Sequence, residues 1–288
     1  MALLHVNFFA RTLGMGMSMD VILPEGDQGI GVNGIPQWND GRSDQLLWDG
    51  SSALPTLYLL HGTSDDSTIW QRRTAIERYV SDKKLAVVMP NVHLSAYCDQ
   101  KFGYKYFTFL SQEVPEFCQR YFHCSAKPEE NFIAGLSMGG YGAIRNGLKY
   151  AENFGCVIGL SAALVHDAWK DANNSAPIFP FRRNYYEAVF GEYDKVKGSD
   201  KDPKALLLKL KDEGRPVPKM YLCCGTEDGL VTANRDFRDF LNENGVDLTY
   251  VEGPGKHDWV FWDTYIKKVL DWLPLNRTGA GINSGNVK

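Results

Sequence analysis

The chain has 288 residues, enough to bury a sizeable core in one large α/β domain or in two small ones. Its hydrophobic fraction of 44% and charged fraction of 23% are typical of a soluble globular protein. Because the formal net charge is −4 and Lys and Arg are scattered, we expect no basic face for nucleic acid or anionic lipid.

The N-terminal segment and the cysteines bear on cellular location. Residues 1–25 lack a basic region followed by a continuous apolar run and a cleavage site, so no secretory signal is expected. No apolar run reaches the roughly 18 residues that a membrane span needs. The six cysteines show no C-x-x-C spacing and are expected to be reduced, mostly buried thiols. The sequence therefore predicts a cytoplasmic protein.

Short apolar runs alternate with helix-like segments along the chain. Residues 3–10 and 17–23 flank a Gly-containing turn and predict an opening antiparallel pair. Five continuous apolar runs and a last strand follow, at residues 56–62, 85–91, 131–137, 155–161, 219–228 and 247–253. Helices are predicted at about 68–80, 106–122, 139–150, 231–244 and 259–273. The alternation predicts an α/β fold with a mainly parallel, doubly wound sheet of about eight strands and helices on both faces.

Two segments interrupt this alternation. Residues 24–55 are rich in Gly, Asp and Ser but carry two tryptophans, which predicts a long inserted loop. Residues 161–218 are too aromatic for a plain linker and predict a lid or cap over a site. Residues 276–288 predict a flexible tail, so we expect a single domain over residues 1–275.

A glycine cluster follows the fifth predicted strand. Residues 135–139, Gly-Leu-Ser-Met-Gly, fit G-x-S-x-G between the strand "NFIA" and the helix-like "YGAIRNGLKY". A phosphate-binding loop would need a Lys after the glycines, and a dinucleotide loop would need different spacing after the first strand. The motif predicts a sharp turn that exposes Ser137 as a nucleophile, with a glycine turn without chemistry as the alternative.

A serine nucleophile needs a base, which is expected last in chain order in this arrangement. Of the six histidines only His166 and His257 follow Ser137. His257 lies in a Gly/Pro loop between the last strand and the last helix, the expected position of the base. His166 lies in the predicted lid, where it could only contact substrate.

The acid that orients the base should follow the strand "KMYLCC". The turn there, "GTEDGLV", offers Glu227 and Asp228. We favour Asp228, which lies deeper in the turn and has the shorter side chain. Asp258 is too close to His257 in sequence and is predicted to cap the final helix instead.

The loop after the third strand, "LLHGTSDDSTIW", is predicted to complete an oxyanion hole. Gly62 permits a close turn, and the Thr63 N–H would lie beside the Met138 N–H. Each such donor contributes roughly 3 kcal/mol in the transition state. His61 comes before the serine and is predicted to be structural, hydrogen-bonded beneath the loop.

Five collinear segments carry a family resemblance: "LLHGTSDDSTIW", "VVMPN", "FIAGLSMGGYGAIR", "CGTEDGL" and "GKHDWVFW". Over about residues 3–273 the chain resembles the esterase family of α/β-hydrolases, most closely its tributyrin/acetyl esterase branch. S-Formylglutathione hydrolases, feruloyl and acetylxylan esterases and mycolyltransferases are related members. The resemblance implies an α/β-hydrolase fold, a triad of Ser137, Asp228 and His257, and an oxyanion hole of the two amides named above. The 24–55 insertion is longer than the tributyrin-esterase pattern.

Residues near the substrate are also expected. The stretch "NVHLSAYCDQKFGYKYFTF" is similar to the segment that lines the family's active-site edge, which implies Tyr97 and Asp99 as substrate neighbours, together with Gly62. The lid residues Phe179 and Phe181 are expected either to shape the acyl or aryl pocket or to pack within the lid.

The expected activity is hydrolysis of short-chain acyl esters, of acetyl or butyryl type, through an acyl-enzyme. Alternatives are an S-formylglutathione hydrolase-type thioesterase, a feruloyl or acetylxylan esterase, and an inactive hydrolase fold used for binding. The histidines and cysteines show no H-E-x-x-H, H-x-H or paired C-x-x-C, so no metal and no cofactor are predicted. The expected partner is a small acyl ester, without nucleic acid or membrane, and the sequence leaves a homo-oligomer open.

Overall fold

A computed structural model describes residues 1–24, 52–81, 83–164, 170 and 172–275. All eight predicted strands are confirmed and form one sheet in the order β1-β2-β4-β3-β5-β6-β7-β8. β2 pairs antiparallel with β1 and β4, and the other neighbours are parallel. The strands are β1 (Ala2–Ala10), β2 (Met15–Leu23), β3 (Thr56–Leu60), β4 (Ala86–Pro90), β5 (Asn131–Leu136), β6 (Cys156–Leu160), β7 (Lys219–Gly225) and β8 (Leu248–Gly253).

Burial explains why these runs form strands. Every residue of β3, β4, β5 and β6 is buried, as expected for parallel strands covered on both faces. The edge strand β1 alternates between exposed and partly buried residues. In β5, Ile133 packs on one face of the sheet, while Phe132 and Ala134 pack on the other. The continuous apolar runs of the sequence therefore correspond to strands that contribute side chains to a core on each face of the sheet.

Helices cover both faces of the sheet, as predicted. They are α1 (Ile69–Arg73), α2 (Ile76–Tyr79), α3 (Tyr106–Thr108), which runs through a π-helical stretch (Phe109–Glu113) into α4 (Val114–Phe122), α5 (Met138–Lys149), α6 (Arg183–Phe190), α7 (Pro203–Asp212), α8 (Val231–Glu243) and α9 (Trp259–Trp272). Buried side chains of α4, α5, α7 and α8 contribute to one core cluster, and those of α1, α2 and α9 to the other.

The helix predicted at 68–80 is divided into α1 and α2. At the break Thr74 has an extended backbone, and its hydroxyl donates to the Trp70 carbonyl. The Ala75 N–H donates to Asp263 of α9 instead of to a helical carbonyl. The contact with α9 therefore interrupts a segment that is helical by sequence pattern.

The predicted insertions are only partly described. Residues 25–51 and 276–288 lie outside the described residues, as do 165–169, which include His166. The described part of 161–218 contains α6 and α7. The domain limits and the lid assignment stay predictions. Within the described ranges, no helix combines the length and apolar character that crossing a membrane requires.

Candidate active site

Ser137 occupies the sharp turn between β5 and α5. Its φ of 52° and ψ of −117° lie in a region that residues with a side chain rarely adopt. Two hydrogen bonds to the neighbouring segment hold it there: the Ser137 N–H donates to Leu160 O at 2.9 Å, and Ala163 N–H donates to Ser137 O at 2.9 Å. The strained serine is therefore braced by the chain that leaves β6.

The glycines around Ser137 provide space for close backbone approach. A Cβ on Gly139 would lie 2.5 Å from the Leu60 carbonyl oxygen, and one on Gly135 would lie 2.3 Å from the Gly139 carbonyl carbon. Because real Cβ atoms do not approach that closely, α5 can begin directly against β3 and β5 only with glycine at these positions. The expectation of a sharp turn at this motif is confirmed.

The structure brings Ser137, His257 and Asp228 together. His257 Nε2 lies 2.9 Å from Ser137 Oγ, and His257 Nδ1 lies 2.8 Å from Asp228 Oδ2. With the proton on Nδ1, the imidazole donates to Asp228 and leaves Nε2 free to accept from the serine hydroxyl. These residues come from the ends of β5, β8 and β7, since the carboxyl ends of parallel strands meet at one edge of the sheet.

Asp228 is held as a carboxylate. It is 2% exposed, and burial raises its pKa. Hydrogen bonds from His257, the Leu230 N–H and the Ser161 hydroxyl outweigh burial, so the pKa lies below its ordinary value. An ionised Asp228 fixes the Nδ1–H tautomer and can stabilise the imidazolium that forms when Nε2 is protonated.

Sequence reasoning missed Ser161 and Trp262, which support this arrangement. Trp262 Nε1–H donates to Ser161 Oγ at 3.2 Å, and the Trp262 ring lies edge-on to the His257 ring at 4.9 Å between centroids. Ser161 directly follows β6, the strand between those that carry Ser137 and Asp228. The sequence signal that could have identified Ser161 is its position as a polar residue at the carboxyl end of a buried strand.

The rejected alternatives for the acid have other contacts. Glu227 accepts hydrogen bonds from the Gly255 N–H and from Thr226 Oγ1, and its own N–H donates to Gly255 O at 3.0 Å. Glu227 thus ties the turn after β7 to the loop that carries His257. Asp258 accepts from the Phe261 N–H at 3.1 Å and caps α9, as predicted.

Thr63 and Met138, the two residues expected to supply oxyanion-hole amides, line the same cavity as Ser137. Met138 is the first residue of α5, so its N–H has no acceptor within the helix. Thr63, next to Gly62, lines the same cavity, and no described residue accepts a hydrogen bond from its N–H. Both N–H groups are thus left without a described acceptor, and the oxyanion hole of Thr63 and Met138 stays a prediction.

His61 braces this loop from below. Its Nδ1–H donates to Gly62 O at 2.8 Å, and its Nε2 accepts from the Val92 N–H at 3.1 Å. It is 1% exposed, and burial lowers its pKa to about 4, so the ring is neutral at pH 7. The structural role predicted for His61 is confirmed.

A cavity of about 830 Å³ opens over the serine. This is a size typical of small-molecule sites. Of the residues named from the sequence, Gly62, Thr63, Met138 and Phe181 line it. Its other apolar walls are formed by Ala96, Leu136, Tyr141, Ala163, Ile178, Pro180, Tyr185, Tyr186, Phe190, Leu230, Trp259 and Trp262. In the described ranges no three His, Cys, Asp or Glu side chains are grouped to hold a metal ion.

Two expected substrate neighbours, Tyr97 and Asp99, are not among the residues that line this cavity, which corrects the prediction for them. Tyr97 is fully buried because its ring turns inward against Gly142, where a Cβ would lie 2.4 Å from the ring. Asp99 accepts from the N–H and hydroxyl of Thr108 at 2.9 and 2.7 Å, so it caps a helix. Phe179 does not line the cavity either: it packs edge-on against Tyr185, in agreement with the second of the two roles expected of it, packing within the 161–218 segment.

Comparisons with known proteins identify the family of the chain. The profile of the Esterase family, described as "Putative esterase", matches residues 45–273. An acetyl esterase of Caldicellulosiruptor saccharolyticus is 38% identical over 279 residues, covering 95% of this chain and 98% of that protein. The substrate-bound fluorophosphonate-binding serine hydrolase F of Staphylococcus aureus has a TM-score of 0.80 at 36% identity, covering 94% of this chain and 98% of that one.

A second Staphylococcus aureus structure, an S-formylglutathione hydrolase apoenzyme, has a TM-score of 0.78 at 35% identity with the same coverage of both chains. The eight-stranded, mostly parallel sheet is the architecture expected of α/β-hydrolases. The profile match spans most of the chain, and the acetyl esterase aligns with nearly all of it. The chain therefore belongs to the esterase family of α/β-hydrolases and is a carboxylic ester hydrolase.

Proposed function

We propose that the protein is a serine carboxylesterase that hydrolyses short-chain acyl esters through an acyl-enzyme on Ser137. The observation that carries this proposal is the pair of hydrogen bonds, 2.9 and 2.8 Å long, that link Ser137 to His257 and His257 to Asp228. Serine becomes an effective nucleophile only when such a base is within hydrogen-bond reach and is itself oriented. The apolar cavity above the serine supplies the space for an acyl chain.

In the first half-reaction His257 Nε2 takes the hydroxyl proton as Ser137 Oγ attacks the ester carbonyl. The carbonyl oxygen becomes an oxyanion and accepts hydrogen bonds from the Thr63 and Met138 N–H groups. The tetrahedral intermediate collapses when the bond to the alcohol oxygen breaks, and the Nε2 proton leaves with the alcohol. Asp228 keeps the imidazole in the reactive tautomer and stabilises its charged form.

In the second half-reaction water takes the place of the alcohol. His257 Nε2 removes a proton from the water as its oxygen attacks the acyl carbon, and the same two N–H groups receive the oxyanion. The bond to Ser137 Oγ then breaks and the serine recovers the proton. Each amide donor is worth roughly 3 kcal/mol of transition-state stabilisation.

The preference for a short acyl chain is supported by the relative that is named an acetyl esterase. A second candidate, hydrolysis of thioesters of the S-formylglutathione type, is favoured by the structural neighbour of that name at 35% identity. Both reactions use the same nucleophile, so kcat/KM for p-nitrophenyl acetate and for S-formylglutathione separates them. A series of p-nitrophenyl esters, with methyl ferulate and acetylated xylan oligomers alongside, identifies the acyl and alcohol preferences.

Covalent labelling tests the nucleophile directly. A fluorophosphonate probe should add one adduct to the wild-type protein, which peptide mass spectrometry should locate on Ser137. Ser137→Ala should abolish labelling and ester turnover, whereas Ser81→Ala, a change at an exposed hydroxyl, should alter neither. Asp228→Asn should lower kcat about 10⁴-fold, as expected when the imidazole loses its orienting carboxylate. Labelling at another residue, or full activity of Ser137→Ala, would exclude this function.

A further inference from the structure

The described residues that line the cavity over Ser137 include several carboxylates and no Lys or Arg. The carboxylates are Asp65, Asp228 and Asp258. Asp228 is paired with His257, and Asp258 accepts from the N–H of Phe261 at the start of α9. Of the three carboxylates among the described lining residues, Asp65 is therefore the one that neither pairs with His257 nor caps a helix.

Asp65 lies close to the nucleophile. A Cβ built on Gly62 would be 3.1 Å from Asp65 Oδ2 and 3.8 Å from Ser137 Cβ. Asp65 Oδ2 and Ser137 Cβ can therefore be separated by no more than the sum of the two distances, about 7 Å. The Asp65 charge is therefore near enough to act on a charged group that a bound ester places on the Asp65 side of its reacting carbonyl.

The surroundings of Asp65 leave its charge facing the cavity. Burial, a hydrogen bond from the Gly62 N–H and the neighbouring charges of Asp66, Arg73 and Arg72 all act on the pKa of this half-buried carboxyl. Burial and Asp66 raise it, the other groups lower it, and the pKa lies above its ordinary value. Both arginines are exposed and do not line the cavity. A substrate anion in the cavity would therefore meet Asp65 with no Lys or Arg among the described lining residues to compensate it.

We propose that Asp65 makes this site selective for esters and thioesters with an uncharged or cationic leaving group, and against leaving groups that carry a carboxylate. The inference rests on the proposed function at Ser137. An acetyl or butyryl group carries no charge, so the alcohol or thiol portion decides the net charge of the proposed substrates. Leaving groups such as glutathione, which carries two carboxylates, are then disfavoured over neutral alcohols.

Coulomb's law sets the scale of the effect. A substrate carboxylate that comes within about 7 Å of the Asp65 carboxylate, in a partly open cleft with an effective dielectric constant between that of protein and water, lowers kcat/KM about 10-fold relative to a neutral group. The effect should weaken as salt screens the interaction.

The test uses two acetate esters that match in shape and differ in charge: 4-(carbamoylmethyl)phenyl acetate and 4-(carboxymethyl)phenyl acetate. At pH 8 and low ionic strength the wild-type protein should prefer the neutral ester about 10-fold. Asp65→Asn should reduce the ratio to about 2 or less by raising kcat/KM for the anionic ester. Its amide oxygen can still accept from the Gly62 N–H.

Asp66→Asn is the matched control. The neighbouring Asp66 carboxylate accepts from the N–H and hydroxyl of Thr68 and does not line the cavity, so this variant should keep the wild-type ratio. An unchanged ratio in Asp65→Asn would overturn the inference. An equal loss of turnover for both esters would also overturn it, because Asp65 would then only hold the Gly62 loop. The proposed function is tested separately, because Ser137→Ala should abolish turnover of the neutral ester.

Discussion

His61 couples the stability of the fold to pH. Its imidazole is buried beneath the loop that carries Thr63, with one nitrogen donating to Gly62 O and the other accepting from the Val92 N–H. Protonation would convert the accepting nitrogen into a donor facing another donor, and it would bury a charge. Burial accordingly lowers the pKa of His61 from 6.5 to about 4.

The sign of the effect follows from these two pKa values. Below pH 6.5 the unfolded chain takes up a proton at this histidine, whereas the folded protein does so only near pH 4. The free energy of unfolding is therefore undiminished above pH 6.5 and falls as the pH drops through this window. Between pH 7 and pH 5 the loss from this one group is about 2 kcal/mol.

Urea unfolding of the wild-type protein and of His61→Gln at pH 7, 6 and 5 measures this loss. The variant should be less stable at pH 7 by about 1 kcal/mol, because it loses part of the hydrogen bonding beneath the loop. Its free energy of unfolding should then decline by about 2 kcal/mol less than that of the wild type between pH 7 and pH 5. Imidazole NMR resonances should report a neutral His61 ring at pH 5.

An equal decline in both proteins would refute the reasoning, because the pH dependence would then arise from other groups. A wild-type ring that is already charged at pH 6 would refute it as well. Either result would mean that the folded protein solvates this imidazole far better than its contacts indicate.

Two further predictions concern the elements that hold the site. Gly139→Ala should lower the Tm by about 5 °C or more, because its Cβ would meet the Leu60 carbonyl oxygen at 2.5 Å. Gly16→Ala, whose Cβ meets nothing within 4 Å, is the control and should leave the Tm within about 1 °C. Glu227→Ala should lower kcat about 10-fold with little change in KM, since it frees the Gly255 N–H and loosens the base loop.

Two outcomes would contradict these predictions. A Gly139→Ala protein as stable as the wild type would show that α5 can shift away from β3. For Glu227, the conservative Glu227→Gln should recover most of kcat, because its amide oxygen can accept from the same N–H. If Glu227→Ala and Glu227→Gln lost kcat equally, or if only the Tm changed, Glu227 would have no role in positioning the loop that carries His257.

Much of the site could be predicted because it depends on local pattern and chain order. Continuous apolar runs identify strands buried on both faces, and parallel strands align their carboxyl ends. Ser137, Asp228 and His257 each follow such a strand, so their approach to one another follows from the strand order. The sharp turn at Ser137 could be predicted too, since it needs glycines that leave room for the adjacent backbone.

Other features required the tertiary structure. Tyr97 and Asp99 lie in a segment that resembles an active-site edge, yet one ring turns inward and the other side chain caps a helix. The break between α1 and α2 depends on Asp263, which is 188 residues away from Ala75 along the chain. No local pattern reports contacts of this kind.

The sequence by itself determined the fold class, the strand order along the chain, the three residues of the candidate triad and the choice of Asp228 over Glu227. Only the tertiary structure decided which other polar groups lie near these three residues. Ser161 donates a hydrogen bond to the Asp228 carboxylate, and Asp65 lines the cavity above Ser137. The physical reason is that strand ends are specified by local hydrophobicity, whereas the direction of a loop side chain is set by packing between distant segments.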